Sequence, residues 1–331
     1  MFLTIMGLEP QKQILPSVII NMINATEADL APYCLGDDIL AIIISFLQPL
    51  DMLKILSVNK QWRVAANSAA TRLIEDDKLS RLYYDAAKSS STNPVLIYSK
   101  IYVGPSNPIR FNPPIGKGIT FVNNTCNTVV TNTTCLTEAS YKGAVVSEIV
   151  MSSGKHIMST EIESLSGGWI GAGAYIYVGL VRPGVNTDSV DNNGNFVPYS
   201  VGGIRYPHLQ KLSSNEGDID CCLVHIAGNY NVISNWSTGE RNRCDLPPGI
   251  LPKSKVQLVF DADVGKLSLI TRRDNPVLQK TDVTDFGVLH DGFQGSFRWI
   301  VYTSKTMYIN HFMRGLSRGT QPRFYVKCSS F

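Results

Sequence analysis

A chain of 331 residues, 44% hydrophobic and 17% charged, holds enough apolar material for about two folded domains and too little charge to remain disordered. Its net charge of +3, without a run of Lys and Arg, speaks against a dedicated nucleic-acid binder. No stretch reaches the roughly 18 uninterrupted apolar residues of a membrane helix, and Met1 to Ile23 lacks the basic leader and small-residue cleavage site of a signal peptide.

Residues 1–30 show no period and read as a loosely held arm. A helical module follows over 31–75. Asp37 and Asp38 open an apolar run from Ile39 to Leu47, which suits the positive end of a helix dipole. Pro49 stands where a second helix, Leu50 to Val58, would begin, and Asn59 is placed to cap a third, Lys60 to about Leu73. Ile39, Ile43, Phe46 and Leu47 share one face of the first helix, and Leu40 and Ile44 lie on another, beside Leu47. A helix apolar nearly all round needs burial nearly all round, which two short helices do not supply. The module is therefore expected to dock on a partner or on the rest of its own chain.

These residues resemble an F-box. Leu35-Gly36-Asp37-Asp38-Ile39-Leu40, Ile44-Ser45-Phe46-Leu47, Asp51-Met52-Leu53 and Val58-Asn59-Lys60-Gln61-Trp62-Arg63 follow the family pattern in order and spacing over about forty residues. Gly36 replaces the usual Pro, and the closing Leu-Trp is missing after Ala69-Ala70-Thr71. The resemblance implies docking on the small adaptor subunit of a cullin-type (SCF) ubiquitin ligase, and through it on a cullin. Leu35, Ile39, Ile43, Phe46, Leu47, Leu50 and Leu53 would make that contact.

Residues 76–110 read as a further helix, to about Lys88, and a linker. The stretch from Ser89 to Pro94 breaks the helix and marks the domain junction, with Val95 to Val103 compatible with a first strand.

Over 111–331 the period changes to two. Val256, Leu258 and Phe260 alternate with Gln257, Val259 and Asp261, and Leu267 and Leu269 resume after the turn-forming run Asp261 to Lys266, a hairpin signal. Tyr175 to Val181 reads as a strand buried on both faces. Trp299, Val301 and Thr303 alternate, as do Met307 and Ile309. Many short strands separated by turn clusters such as Asp191 to Asn195 predict an all-β antiparallel sandwich. The order of pieces is similar to a SPRY domain: Ser153-Gly154-Lys155-His156, Tyr177-Val178-Gly179-Leu180-Val181-Arg182-Pro183, the hairpin of Val256 to Ile270, and Phe297 to Val301. The family's Gly-Asp before the hairpin is replaced by Pro252-Lys253-Ser254. The fold expectation is thus multidomain, a three-helix F-box-like module followed by a SPRY-like sandwich.

No catalytic constellation emerges. Asp285-Phe286-Gly287 lacks every other kinase motif, and Gly171-Ala172-Gly173 does not open a helix. Cys221, Cys222 and His225 lie in an apolar strand-like run without a second ligand pair, so buried thiols and a core histidine are expected rather than a metal site. Asp261 and Asp263 suit hairpin chemistry better than acid–base work. Seven cysteines without a framework read as free thiols in a reducing compartment, cytoplasmic or nuclear, and the sequons at Asn24, Asn123, Asn132 and Asn235 as chance matches.

The expectation is a non-enzymatic adaptor with no cofactor and no metal, whose partners are the ligase adaptor subunit and a substrate protein, not nucleic acid or membrane. By the SPRY resemblance, end loops would hold a short peptide of the substrate. Arg182, Tyr206, Trp236, Arg241 and Arg272 are the candidates, since Arg, Trp and Tyr combine apolar contact with a polar handle. Two alternatives stay open: an interaction protein whose helices dock in cis without a ligase, and a carbohydrate- or small-ligand-binding sandwich or a hydrolase on that scaffold.

Overall fold

Asp37 and Asp38 lie in the first turn of helix α1 (Asp37–Ile44), at the positive end of its dipole. The computed structural model describes residues 36–88, 91–122, 127–132, 140–164, 174–199, 206–213, 215–226, 230–246, 255–275, 280–306 and 324–330. The chain divides into two compact units, Met1–Gly104 and Pro105–Phe331.

In the first unit, Pro49 occupies the first turn of α2 (Pro49–Ile55), where a missing N–H costs nothing. Helix α3 (Lys60–Asp76) starts at Asn59, whose side-chain oxygen accepts from the Trp62 N–H at 3.0 Å. Asp77 ends it and at once caps α4 (Lys78–Lys88), accepting from the Ser80 N–H at 2.7 Å. Asn93 caps α5 (Pro94–Val103) through the N–H groups of Val95 and Leu96, at 3.0 and 3.2 Å, and Gly104 ends it at φ +77°. Val95 to Val103 is therefore a helix, not a strand. The Asn-Pro start signal outweighs the β-branched composition, and the division between units falls after α5 rather than at 89–94. The core gathers Leu40, Ile44, Leu47, Met52, Ile55 and Trp62 around the alanine face of α3, Ala65, Ala66, Ala69 and Ala70. Val95 and Tyr98 of α5 pack into it too, so more than three helices build this unit.

The second unit has strands β1 (Asn107–Pro108), β2 (Ile115–Gly116), β3 (Ile119–Phe121), β4 (Val129–Asn132), β5 (Ser140–Val146), β6 (Lys155–Ser164) and β7 (Ala174–Val181). After a short helix, α6 (Pro207–Gln210), come β8 (Cys221–His225), β9 (Tyr230–Asn235), β10 (Glu240–Asp245), β11 (Lys255–Asp261), β12 (Lys266–Asn275), β13 (Lys280–His290), β14 (Arg298–Thr306) and β15 (Phe324–Ser330). They form two antiparallel sheets. One is ordered β13-β12-β11-β6-β15-β4-β3, with β1 also on β15, and the other β10-β9-β8-β7-β14-β5-β2.

The expected hairpin is β11–β12, with Leu258 opposite Leu269 and Phe260 opposite Leu267. Its turn needs Gly265, which sits at φ +64° and where a Cβ would collide with the Phe293 carbonyl. The sheets pack face to face as a sandwich. Met158, Leu258, Phe260, Leu267 and Leu269 of one meet Val145, Val178, Leu180, Val224, Trp299 and Val301 of the other. Residues of the β7–β8 connection, Phe196, Val197, Tyr199 and Leu209, fold over the outer face of the second sheet against Tyr177, Leu223, Ile300 and Tyr302. That cover makes β7 apolar on both faces, as its sequence predicts. Met307 and Ile309 lie outside the described residues.

Candidate functional site

On α1, α2 and the turn between them the structure separates the apolar residues into two sets. Leu40, Ala41, Ile44 and Leu47 are buried in the helical core, whereas Ile39, Ile42, Phe46 and Leu50 are 50–59% exposed. Ile43 and Leu53 are half-buried beside the core. Of the residues expected to meet an adaptor subunit, Ile39, Phe46 and Leu50 thus stand free, and Ile43 and Leu53 lie at the margin. Leu47, in the turn after α1, is a core residue packed with Leu40 and Ile44. Ile42 was overlooked in the sequence, and Leu35 lies outside the described residues. Four large apolar side chains therefore stand exposed beside the buried core.

In the sandwich, Arg182 is no surface residue. It follows β7, is only 4% exposed, and pairs with two acids of the segment leading into β8: Nε reaches Asp220 Oδ1 at 3.1 Å and Nη2 reaches Asp218 Oδ2 at 3.2 Å. Its Nη1 donates to the Gln294 carbonyl, and its guanidinium lies 4.6 Å from the centre of the Phe297 ring. Asp220 Oδ2 in turn accepts from the Trp236 N–H at 2.7 Å and the Ser213 hydroxyl at 2.9 Å. All three guanidinium nitrogens thus have partners inside the fold, and little of the side chain faces solvent.

Trp236 is likewise buried, at 4% exposure, with its indole N–H donating to the Pro198 carbonyl at 2.8 Å. The polar stretch around it suggests a loop facing solvent, but that polarity is used internally. Asn235 donates to the Asp218 carbonyl at 2.8 Å and accepts from the Ser237 hydroxyl and the Thr238 N–H. Trp299, which begins an alternating run in the sequence, lies in the core.

Tyr206 and Arg241 fare differently. Tyr206 is half-buried at the start of α6, packed against the outer-face cluster. Arg241, on β10, is exposed and stacks over the Tyr199 ring at 4.1 Å. Two residues on, Arg243 stacks over Tyr230 at 4.0 Å. Behind them His225 is enclosed by Tyr175, Tyr177 and Tyr230, with ring centroids 4.8–5.3 Å away, and neither of its ring nitrogens has a hydrogen-bond partner among the described residues. Burial first, and then the Arg243 charge, hold its imidazole down at about 4. The Tyr177 hydroxyl bonds that of Tyr230 at 3.0 Å, and burial pushes its phenol up. Arg272 pairs across its ladder with Lys255, at the end of the hairpin opposite its turn, and the Arg182 knot lies at the turn end. The structure therefore joins Arg182 to Trp236, sets Arg241 on the tyrosine face that Tyr206 borders, and leaves Arg272 apart.

Cys221 and His225 lie on the outer face of β8 and Cys222 on the inner, so alternation separates the two thiols. The four described cysteines, Cys221, Cys222, Cys244 and Cys328, are free. Asp263 serves the hairpin, accepting from the Gly154 N–H at 2.9 Å, and Asp261 lies 3.9 Å from Lys155. Sequence reasoning missed Asp218, Asp220 and Arg243. The Asp218-Ile219-Asp220 alternation before an apolar strand was the available signal for buried acids awaiting a cation.

No protein-family model matches the chain, and no curated protein matches it. Similar solved structures include the SPRY domain of human HERC1, at 10% identity over 67% of this chain and 98% of that one, TM-score 0.36. The PSpry domain of TRIM65 gives 11% identity, 61% and 91% coverage, and TM-score 0.33. Peanut lectin with a 9-residue peptide gives 13%, 69% and 92%, and 0.38.

Proposed function

We propose that this chain is a non-catalytic substrate-recognition subunit of a cullin-type ubiquitin ligase. The F-box-like helices bind the small adaptor subunit, and the SPRY-like sandwich holds a substrate protein. The observation that carries this reading is the set Ile39, Ile42, Phe46 and Leu50, half exposed on α1, α2 and the turn between them, while Leu40, Ile44, Leu47 and Trp62 form the core beneath. Apolar area of that kind gains roughly 25 cal/mol per Å² when a partner removes it from water. The order of F-box residues from Ile39 to Arg63 supports the same partner. The contribution to ubiquitin transfer is effective concentration: the substrate is held near the charged enzyme, and no bond chemistry falls to this chain.

The test is co-purification of the full chain from cells with the ligase adaptor subunit and cullin. The parent is expected to bring both down. Phe46→Asp is expected to bring down neither while keeping the parent's melting temperature, because Phe46 is outside the core. Equal capture by the two proteins would overturn the reading.

A further inference from the structure

Strand β10 ends its sheet, and among the described residues no strand pairs with its other edge. Alternate residues of an edge strand turn their N–H and C=O groups outward, a ready template for another chain. The remaining edges are blunted. β2 has two residues and β3 three, and β13 is broken by register shifts opposite Leu267/Ser268 and Leu269/Ile270, with Gly287 at φ +76°. β10 keeps an unbroken register with β9 over all six residues, from Glu240 opposite Asn235 to Asp245 opposite Tyr230.

The side chains of this edge add a charge pattern. Arg241 and Arg243 share the outer face, two residues apart, which on a strand is about 6.6 Å. Each guanidinium is held over a tyrosine ring, Tyr199 or Tyr230, so it loses less rotamer freedom on binding than a free side chain would. Arg241 has no ion pair or hydrogen bond among the described residues. Arg243 has only the exposed contact to Asp245 at 3.3 Å, of a kind worth little in water. Half-buried Lys142 is near enough to feel Arg241. Burial holds its amine below the usual lysine range, with Asp191 opposing and Arg241 reinforcing. Three cations thus gather on one face, against Asp191 beside Lys142 and the exposed Asp245 beside Arg243.

We propose that β10 takes up an extended acidic peptide segment of a partner protein as an added strand, its Asp or Glu side chains at alternate positions pairing with Arg241 and Arg243. Main-chain bonding along the edge fixes the peptide's direction. The two arginines select carboxylates at the two-residue repeat of a strand. The inference deepens the proposed role of the sandwich as the substrate-holding part and names the chemistry of what it holds. It does not depend on the ligase.

The probe is a labelled peptide, Thr-Glu-Thr-Glu-Thr-Glu-Thr, titrated against the full chain by fluorescence anisotropy at low salt. Binding that weakens as NaCl is raised is expected. A peptide with Lys for each Glu is expected not to bind. Two further peptides carry N-methyl groups on every Thr amide or on every Glu amide. One of the two sets faces the strand, so one methylated peptide is expected to fail. The variant R241E/R243E is expected to bind the acidic peptide at least tenfold more weakly at unchanged melting temperature. No binding of the acidic peptide to the parent, equal binding of the Lys peptide, or full binding by both methylated peptides would overturn the proposal. Full binding by R241E/R243E would do the same, and should that variant not fold, the methylated peptides decide on the parent alone. Adaptor capture by R241E/R243E, and acidic-peptide binding by Phe46→Asp, keep this outcome separate from that of the ligase reading.

Discussion

Arg182 and Trp236 are held by the two oxygens of one carboxylate: the Arg182 Nε–H donates to Asp220 Oδ1 at 3.1 Å, and the Trp236 backbone N–H to Asp220 Oδ2 at 2.7 Å. The loop after β7, the segment before β8 and the turn after β9 are fastened at this point. Removing one partner of a buried ion pair leaves an uncompensated charge, at a cost of about 3–5 kcal/mol. Asp220→Asn is expected to lower unfolding free energy by about 3 kcal/mol in urea titrations. Asp218→Asn should cost less, since Asp218 holds neither Trp236 nor Ser213. The reverse order would show that Asp220 is not the keystone. Arg182→Ala and Trp236→Ala would likewise report on stability, and are poor tests of substrate binding.

The His225 imidazole, held at about 4 by burial and by Arg243, titrates near 6.5 in an unfolded chain. Between those values the unfolded chain binds a proton that the folded one does not. Its contribution to stability is therefore full above about 6.5 and is lost as the pH falls toward 4, by at most about 1.4 kcal/mol per pH unit. Burial shifts His208 and His290 in the same direction. His225→Phe keeps an aromatic ring among Tyr175, Tyr177 and Tyr230 and should lose less stability than the parent between pH 7 and pH 5. Equal losses in the two proteins would place the proton uptake elsewhere.

Asn93 closes the N-terminus of α5 through two backbone N–H groups. Asn93→Ala is expected to cost about 1 kcal/mol, while Asn93→Ser or Asn93→Asp should restore most of it. The check is thermal unfolding followed by helical circular dichroism, and no loss in the alanine variant would mean that packing of Val95 alone secures α5.

Elements carried by local rules were legible in the sequence. Asn59 before Lys60, Pro49 in a first turn, and Asp261 to Lys266 between two alternating runs each act within a few residues, and each predicted its element to within a turn. Val95 to Val103 was misread because nine mostly apolar residues fit strand and helix equally, and the deciding signal was the Asn-Pro pair ahead of them. The exposed helical face was half legible. Periodicity grouped Leu47 with Ile39 and Phe46, while only packing against Trp62 and the α3 alanines tells the inward stripe from the outward one. Arg182 and Trp236 were misread for a different reason. Their partners, Asp218, Asp220, Gln294 and Pro198, are distant in sequence, and no local pattern states that a polar loop folds inward.

The central claim is tested most directly by titrating the purified ligase adaptor subunit into the full chain in a calorimeter, alongside Leu50→Asp, Phe46→Asp and the core variant Ile44→Asp. Saturable one-to-one binding by the parent is expected. Leu50→Asp and Phe46→Asp should weaken it at least a hundredfold, about 2.7 kcal/mol, with cooperative unfolding intact. Ile44→Asp should unfold the helical unit outright, because it buries an unpaired carboxylate. A parent that releases no heat and shows no binding, or exposed-face variants that bind as it does, would contradict the account.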